Sequence, residues 1–241
     1  MTHSKHIQAS IVAIVLCLLC FELTPLDFQV QDYFFNPLSH TWWLETSQRT
    51  LYTLLYEAPK KLLVLLELTL IITLLFFRKA RLVRGYHTGL LILLLALPLG
   101  PALVSSLKGS TNVACPYALQ EYGGDIPHIG LFQAYPPDMK PDKRQRCFPA
   151  GHASGGFALM ALYYLPKTQR RKRQALAFAI IIGWIMGGYK MLLGHHFLSH
   201  TIMTMLLSWL VINCVALMAT PHAACRKSAE ITLKKVTANV N

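Results

Sequence analysis

The chain of 241 residues is 54% hydrophobic and only 14% charged, and it carries a formal net charge of +12. Soluble domains of this length carry about 25% charged residues, so the composition excludes an ordinary soluble domain and makes lipid the main solvent. A basic excess of this size suits nucleic acid or an anionic surface, and the placement of the charges decides between them.

Six stretches read as membrane helices, each at or near the ~20 apolar residues that a bilayer core requires. They are 7–23, 62–77, 87–107, 150–165, 174–194 and 201–219. The first has the length of a signal peptide, but Glu22-Leu23-Thr24-Pro25 follows it instead of a small-residue cleavage site, so it reads as a retained anchor. Residues 24–61 come next, rich in aromatics that include Tyr33, Phe34, Phe35, Trp42, Trp43, Tyr52 and Tyr56. Such rings settle at the headgroup level. Part of this segment is expected to lie as an amphipathic helix along the interface, with a plain connecting loop as the alternative. Glu67, inside the second stretch, reads as an interhelical hydrogen-bonding group. Gly183, Gly187 and Gly188, in the fifth, read as a site of close helix packing.

Arg78, Lys79, Arg81 and Arg84 fill one short connection, and Lys167, Arg170, Arg171, Lys172 and Arg173 fill another. With Lys5 and the C-terminal Arg226, Lys227, Lys234 and Lys235, this side gathers fourteen basic residues and a single acid, Glu230. The positive-inside rule then makes both termini and the two basic connections cytoplasmic. The charge is a topology signal, and no nucleic-acid partner is expected. The expected architecture is a single all-α membrane domain over residues 1–241, a six-helix bundle with an outward-facing active site. Segments 24–61 and 105–149 face outward, and 220–241 forms a cytoplasmic tail.

Loops as long as 105–149 are uncommon in compact folds unless they are functional or disordered. This one opens at Ser106-Leu107-Lys108 and closes at Cys147-Phe148-Pro149-Ala150-Gly151-His152, while Lys190 to His200 lies between the last two helices. The derived topology brings all of these to one membrane face. Ionisable groups at membrane-helix ends are costly and are functional candidates by default. The backbone N–H groups at Gly151 open a helix and attract an anion, and Lys108 and Lys190 neutralise phosphate oxygens. The imidazole of His196 can attack phosphorus, and that of His152 can protonate the leaving oxygen.

These residues resemble the motifs of the type 2 phosphatidic acid phosphatase family of membrane lipid phosphatases, which are Lys-x6-Arg-Pro, Pro-Ser-Gly-His and Ser-Arg-x5-His-x3-Asp. The chain has Lys108-x6-Cys115-Pro116, Pro149-Ala150-Gly151-His152 and Lys190-x5-His196-x3-His200, with every spacing kept. The resemblance covers roughly residues 100–205. It implies a metal-independent phosphohistidine mechanism without a cofactor, with His196 as nucleophile, His152 as general acid, and Lys108 and Lys190 as phosphate ligands. The departures are Cys115 for arginine, Ala150 for serine, Tyr189 and Lys190 for Ser-Arg, and His200 for aspartate. In the family that aspartate orients the nucleophilic imidazole, as a triad acid does. Either His200 takes over that role, the reading favoured here, or an acid from the loop (Glu121, Asp125 or Asp142) completes the site. Arg144 and Arg146 are candidate substitutes for the missing arginines, the alternative being a solvated basic loop.

Three competing readings accompany this one. His195, His196 and His200, with Glu121 or Cys115, have the spacing of a zinc site, which the nearby lysines disfavour. His87, His128 and His195 otherwise read as polar corners. The five motif substitutions also fit a degenerate binding or transport protein. Among six cysteines, Cys17, Cys20 and Cys214 read as small hydrophobes and Cys225 as free and cytoplasmic. Cys115 and Cys147 lie in the outward loop, where an oxidising bacterial periplasm favours a disulfide. The substrate class is a lipid phosphate or diphosphate held in the bilayer of a bacterial inner membrane. Undecaprenyl diphosphate, phosphatidylglycerol phosphate, phosphatidic acid and lipid A phosphate all fit, with water or a second lipid as acceptor.

Overall fold

A computed structural model describes residues 3–45 and 48–220. The C-terminal tail, with Cys225, lies outside the described residues. The fold is mostly helical, as lipid demands, because only intrasegment hydrogen bonds satisfy a backbone that water cannot reach. Helix α1 (His3–Leu23) leads into a short α2 (Leu26–Asp32), and a two-residue hairpin follows, β1 (Phe35–Asn36) and β2 (Thr41–Trp42). One turn, α3 (Arg49–Tyr52), runs through a wide turn at Thr53–Glu57 into α4 (Ala58–Phe76). Then come α5 (Arg81–Ser110), α6 (Gly151–Ala158), α7 (Gln169–Leu192) and α8 (Leu198–Ala219).

Four helices, α1, α5, α7 and α8, are long and apolar enough to cross a membrane. The other two predicted spans differ. The second corresponds to α4, which has the length but carries Lys60, Lys61 and Glu67. The fourth, 150–165, is an α-helix for only its first eight residues and tightens into a 3-10 stretch at Leu159–Tyr164. Here α6 is wedged against α7. A Cβ on Gly156 would stand 2.8 Å from Gly183 Cα, and one on Gly187 would crowd Thr201 and Ala153. Small residues let the backbones meet, which supplies the van der Waals contact that drives helix association in lipid.

The main core joins Ile92, Leu93 and Ala96 of α5, Ala153 and Phe157 of α6, and Ile212 and Val215 of α8. Helix α1 packs on α8 and turns Val12, Leu16 and Leu19 outward at helical spacing. A second, smaller core caps the histidine-bearing end of the bundle. It packs Ala114, Leu119, Tyr122 and Phe197 with Phe28, Phe35, Trp42 and Ile126. Segment 24–61 is helical in part, at α2, α3 and the start of α4. Phe35 and Trp42 belong to this cap, with Trp42 5.1 Å from Tyr122 between ring centres, while Tyr33 and Trp43 remain exposed.

Candidate active site

The three motif segments are stitched together by backbone and short polar side chains. At the end of α5, Thr111 Oγ1 donates to the Phe148 carbonyl at 2.6 Å. Cys147 N donates to Val113 O at 3.0 Å, and Cys115 and Cys147 form a disulfide with Cα atoms 5.1 Å apart. Ala150 N donates to His200 O at 3.2 Å, and Thr204 Oγ1 donates to both the Ala150 and His200 carbonyls. The loop end that carries His152 is thus fixed to both α5 and α8.

His196 occupies the turn between α7 and α8 and is 2% exposed. Gly194 in this turn has φ +68°, a value that suits glycine. Trp42 lies so close that any side chain at Gly194 would collide with its ring. Leu44 N donates to Leu192 O at 3.3 Å, Tyr117 N to Gly194 O at 2.9 Å, and buried Gln31 Nε2 to Met191 O at 2.9 Å. Helix α8 starts at Leu198 without a cap of its own. Asp27 of α2 supplies one, accepting from Ser199 N at 2.8 Å and from Ser199 Oγ.

The imidazoles form a chain. His196 Nδ1 lies 3.4 Å from His200 Nδ1, and the ring centres of His152 and His196 are 6.0 Å apart. His152 Nδ1 is buried and has no hydrogen-bond partner among the described residues. Lys108 Nζ sits beside Gly151, 3.7 Å from where a Cβ would be. Lys190 is buried with Tyr52, Tyr56 and Tyr189 around its ammonium at 5.8, 5.3 and 5.5 Å, a cation–π enclosure. Tyr56 also packs on His152 with ring centres 4.8 Å apart. Burial pushes the His196 pKa well below the ordinary histidine value, and the charges of His200, Lys108, His152 and His195 act in the same direction. His195 is held down to about 4, by burial and then by Lys190 and Lys108. His196 is therefore neutral at physiological pH, with a nitrogen lone pair available.

A cavity of about 560 Å³ opens onto Lys108, Gly151 and His152, and its walls are α4, α5 and α6. A second cavity of about 330 Å³ reaches His200 from the side of α1 and α2 and is lined by Glu22, Asp27 and His128. Arg144 faces neither. It is exposed and donates to the Ser110 and Thr111 carbonyls at the end of α5. Arg146 is exposed as well. The metal reading meets a chemical obstacle. Cys147, His196 and His200 are close enough to hold an ion, but Cys115 and Cys147 are bonded to each other and offer no thiolate. Two imidazoles remain, short of the three protein ligands of a catalytic zinc site. His195 instead stacks near Tyr117, with ring centres 5.3 Å apart.

Sequence reasoning missed Asp27, Gln31 and the site role of Tyr56, which only their contacts reveal. It also took Glu67 for an interhelical hydrogen-bonding group. Its Oε2 is buried without a partner among the described residues, and the residue lines the larger cavity.

Residues 89–222 match the family model of the PAP2 superfamily, and the chain belongs to that superfamily of phosphatases and phosphotransferases. No curated protein and no solved structure matches it. Superfamily membership together with four apolar helices marks a membrane protein.

Proposed function

We propose that the chain hydrolyses the terminal phosphate of a membrane lipid phosphate through a phosphohistidine on His196. The observation that carries this reading is the pairing of His196 Nδ1 with His200 Nδ1 at 3.4 Å. That contact occupies Nδ1 and leaves His196 Nε2 free as the nucleophile. The His200 imidazole accepts the Nδ1–H and so replaces the family aspartate as a positioning group. Nε2 attacks phosphorus, the bond from phosphorus to the lipid oxygen breaks, and His152 delivers a proton to that oxygen. Water then attacks phosphorus with His152 as the base, the N–P bond breaks, and phosphate leaves. Lys108, Lys190 and the Gly151 N–H hold the phosphoryl oxygens throughout.

The reading includes a bundle of six membrane helices, α4 and the α6 segment among them, with both termini cytoplasmic and the histidines at the outer face of a bacterial inner membrane. The disulfide suits that oxidising side. A lipid-to-lipid phosphotransferase is the second reading, and the second cavity at His200 favours it by giving an acceptor another approach to the dyad.

The test is phosphate release from lipid phosphates by detergent-purified protein with chelator present. Wild type should turn over, while His196→Ala and His152→Ala should lose at least about 10²-fold. Acid-labile phosphate trapped on wild type and absent from His196→Ala would identify the intermediate. If folded wild type traps phosphate but releases none until a second lipid is added, the phosphotransferase reading replaces this one. If no phosphate is trapped or released, the chain is a binding protein on this scaffold.

A further inference from the structure

The larger cavity is a groove with direction. From the helix bearing α4 it takes Tyr56, Lys60, Leu63, Val64 and Glu67, and from α5 it takes Lys108, Ser105, Pro101, Pro98 and Leu97. Each set follows one helical face, and the two helices run antiparallel, so Lys60 and Lys108 share the mouth with His152 while Glu67 and Leu97 share the floor. Eleven residues separate Lys108 from Leu97, about 16 Å at 1.5 Å per residue, which is roughly half the hydrocarbon thickness of a bilayer. Glu67 lies two turns below Lys60, about 10 Å deeper. The walls between them are Leu63, Val64, Pro98 and Pro101.

An acid at that depth is costly, and a structural acid would have a partner. Glu67 Oε2 has none among the described residues. The ion pair in this region, Lys61 with Glu57 at 3.7 Å, sits at the mouth and leaves Glu67 aside. The residue as a whole is only half-buried and lines the groove, so its carboxyl group stands unpaired beside the space that a ligand's chain would fill.

We propose that Glu67 is a specificity-determining residue that accepts a hydrogen bond from a hydroxyl or amide N–H on the acyl portion of the substrate, about 10 Å from the phosphate. The inference rests on the lipid-phosphatase reading and narrows it. The preferred substrate is a lipid phosphate with hydroxylated or amide-linked acyl chains. Lipids whose hydrocarbon starts directly at the phosphate ester, such as polyprenyl phosphates, place only C–H groups against Glu67. They leave its carboxyl group without a hydrogen-bond partner.

The experiment compares two synthetic lipid phosphates that differ only in a 3-hydroxyl on the acyl chain, presented in the same detergent. Wild type should favour the hydroxylated lipid in kcat/KM by roughly tenfold or more. Glu67→Leu should bring that ratio towards one, and Glu67→Gln, which keeps an acceptor oxygen, should retain most of it. A general loss of folding lowers both rates but does not move their ratio. Equal kcat/KM for the two lipids in wild type, or an unchanged ratio in Glu67→Leu, overturns the assignment. The dissociation constants of both lipids on His196→Ala supply the same ratio without turnover. If wild type hydrolyses neither lipid, the phosphatase reading falls, and the ratio of dissociation constants still decides the role of Glu67.

Discussion

The Nδ1 atoms of His196 and His200 lie 3.4 Å apart, and the proposed mechanism depends on which ring holds the proton between them. An aspartate at that place adds negative charge and draws the proton of His196 towards itself. A histidine only orients. Burial, helped by the neighbouring His200 and Lys108, then keeps His196 unprotonated. In the proposed mechanism His196 must be neutral to attack, and its pKa lies below the ordinary value of about 6.5. The acid limb of kcat/KM against pH is therefore expected below pH 6.5, and a limb at or above that value would assign the nucleophile elsewhere. His200→Asp should keep activity and shift this limb to higher pH, because a carboxylate favours imidazolium at His196. His200→Ala should lower kcat roughly 10- to 100-fold with a smaller change in KM, as expected of a positioning group. Loss of activity in Asp125→Ala or Asp142→Ala, with His200→Ala unaffected, would return the orienting role to the loop.

At the scale of elements, the start of α8 depends on a helix far away in sequence. The first turn of α8 exposes backbone N–H groups that its own residues do not cap. Asp27 of α2 accepts from one of them, that of Ser199, one residue from His200 and three from His196. Its pKa is raised to about 6, because burial outweighs the two bonds from Ser199 that lower it. The sign follows from linkage. Between its unfolded value of about 3.9 and its folded value, the folded chain binds the extra proton, so stability falls as pH rises through that window. Asp27→Asn keeps an acceptor for Ser199 N and removes the cost of ionisation. The variant should match wild type at pH 4 and exceed its thermal midpoint at pH 7.5, read by unfolding in detergent at both values. A variant less stable than wild type at pH 7.5 would show that the carboxylate charge at the α8 N-terminus outweighs its burial.

For the whole molecule, what could be read from the chain divides along a physical line. Apolar runs dictate helices locally, so α1, α4, α5, α7 and α8 fall within a few residues of the expected stretches, and fixed motif spacings placed Lys108, His152 and His196 at one end. Contacts made across the sequence leave no local pattern. Gln31 meets Met191, Asp27 meets Ser199, and Trp42 fills the space over Gly194. The shortness of α6, which tightens into a 3-10 stretch at Leu159–Tyr164, left no local pattern either. The cap built from such contacts holds the turn that carries His196 against the bundle, and the Cys115–Cys147 bond is its covalent part. Cys147 Sγ lies 3.4 Å from His196 Nδ1, so the bond touches the dyad while it ties the end of α5 to the start of α6. It closes a sequence separation of 32 residues, worth roughly 4 kcal/mol in the chain-entropy account. Reductant should therefore lower both the thermal midpoint and the rate of phosphate release by wild type. A Cys115→Ser/Cys147→Ser variant should start from the lower values and ignore reductant. If reductant lowers the midpoint and spares the rate, the bond steadies the cap without placing His196, and the remaining clamp of Trp42, Gln31 and Asp27 holds the turn alone.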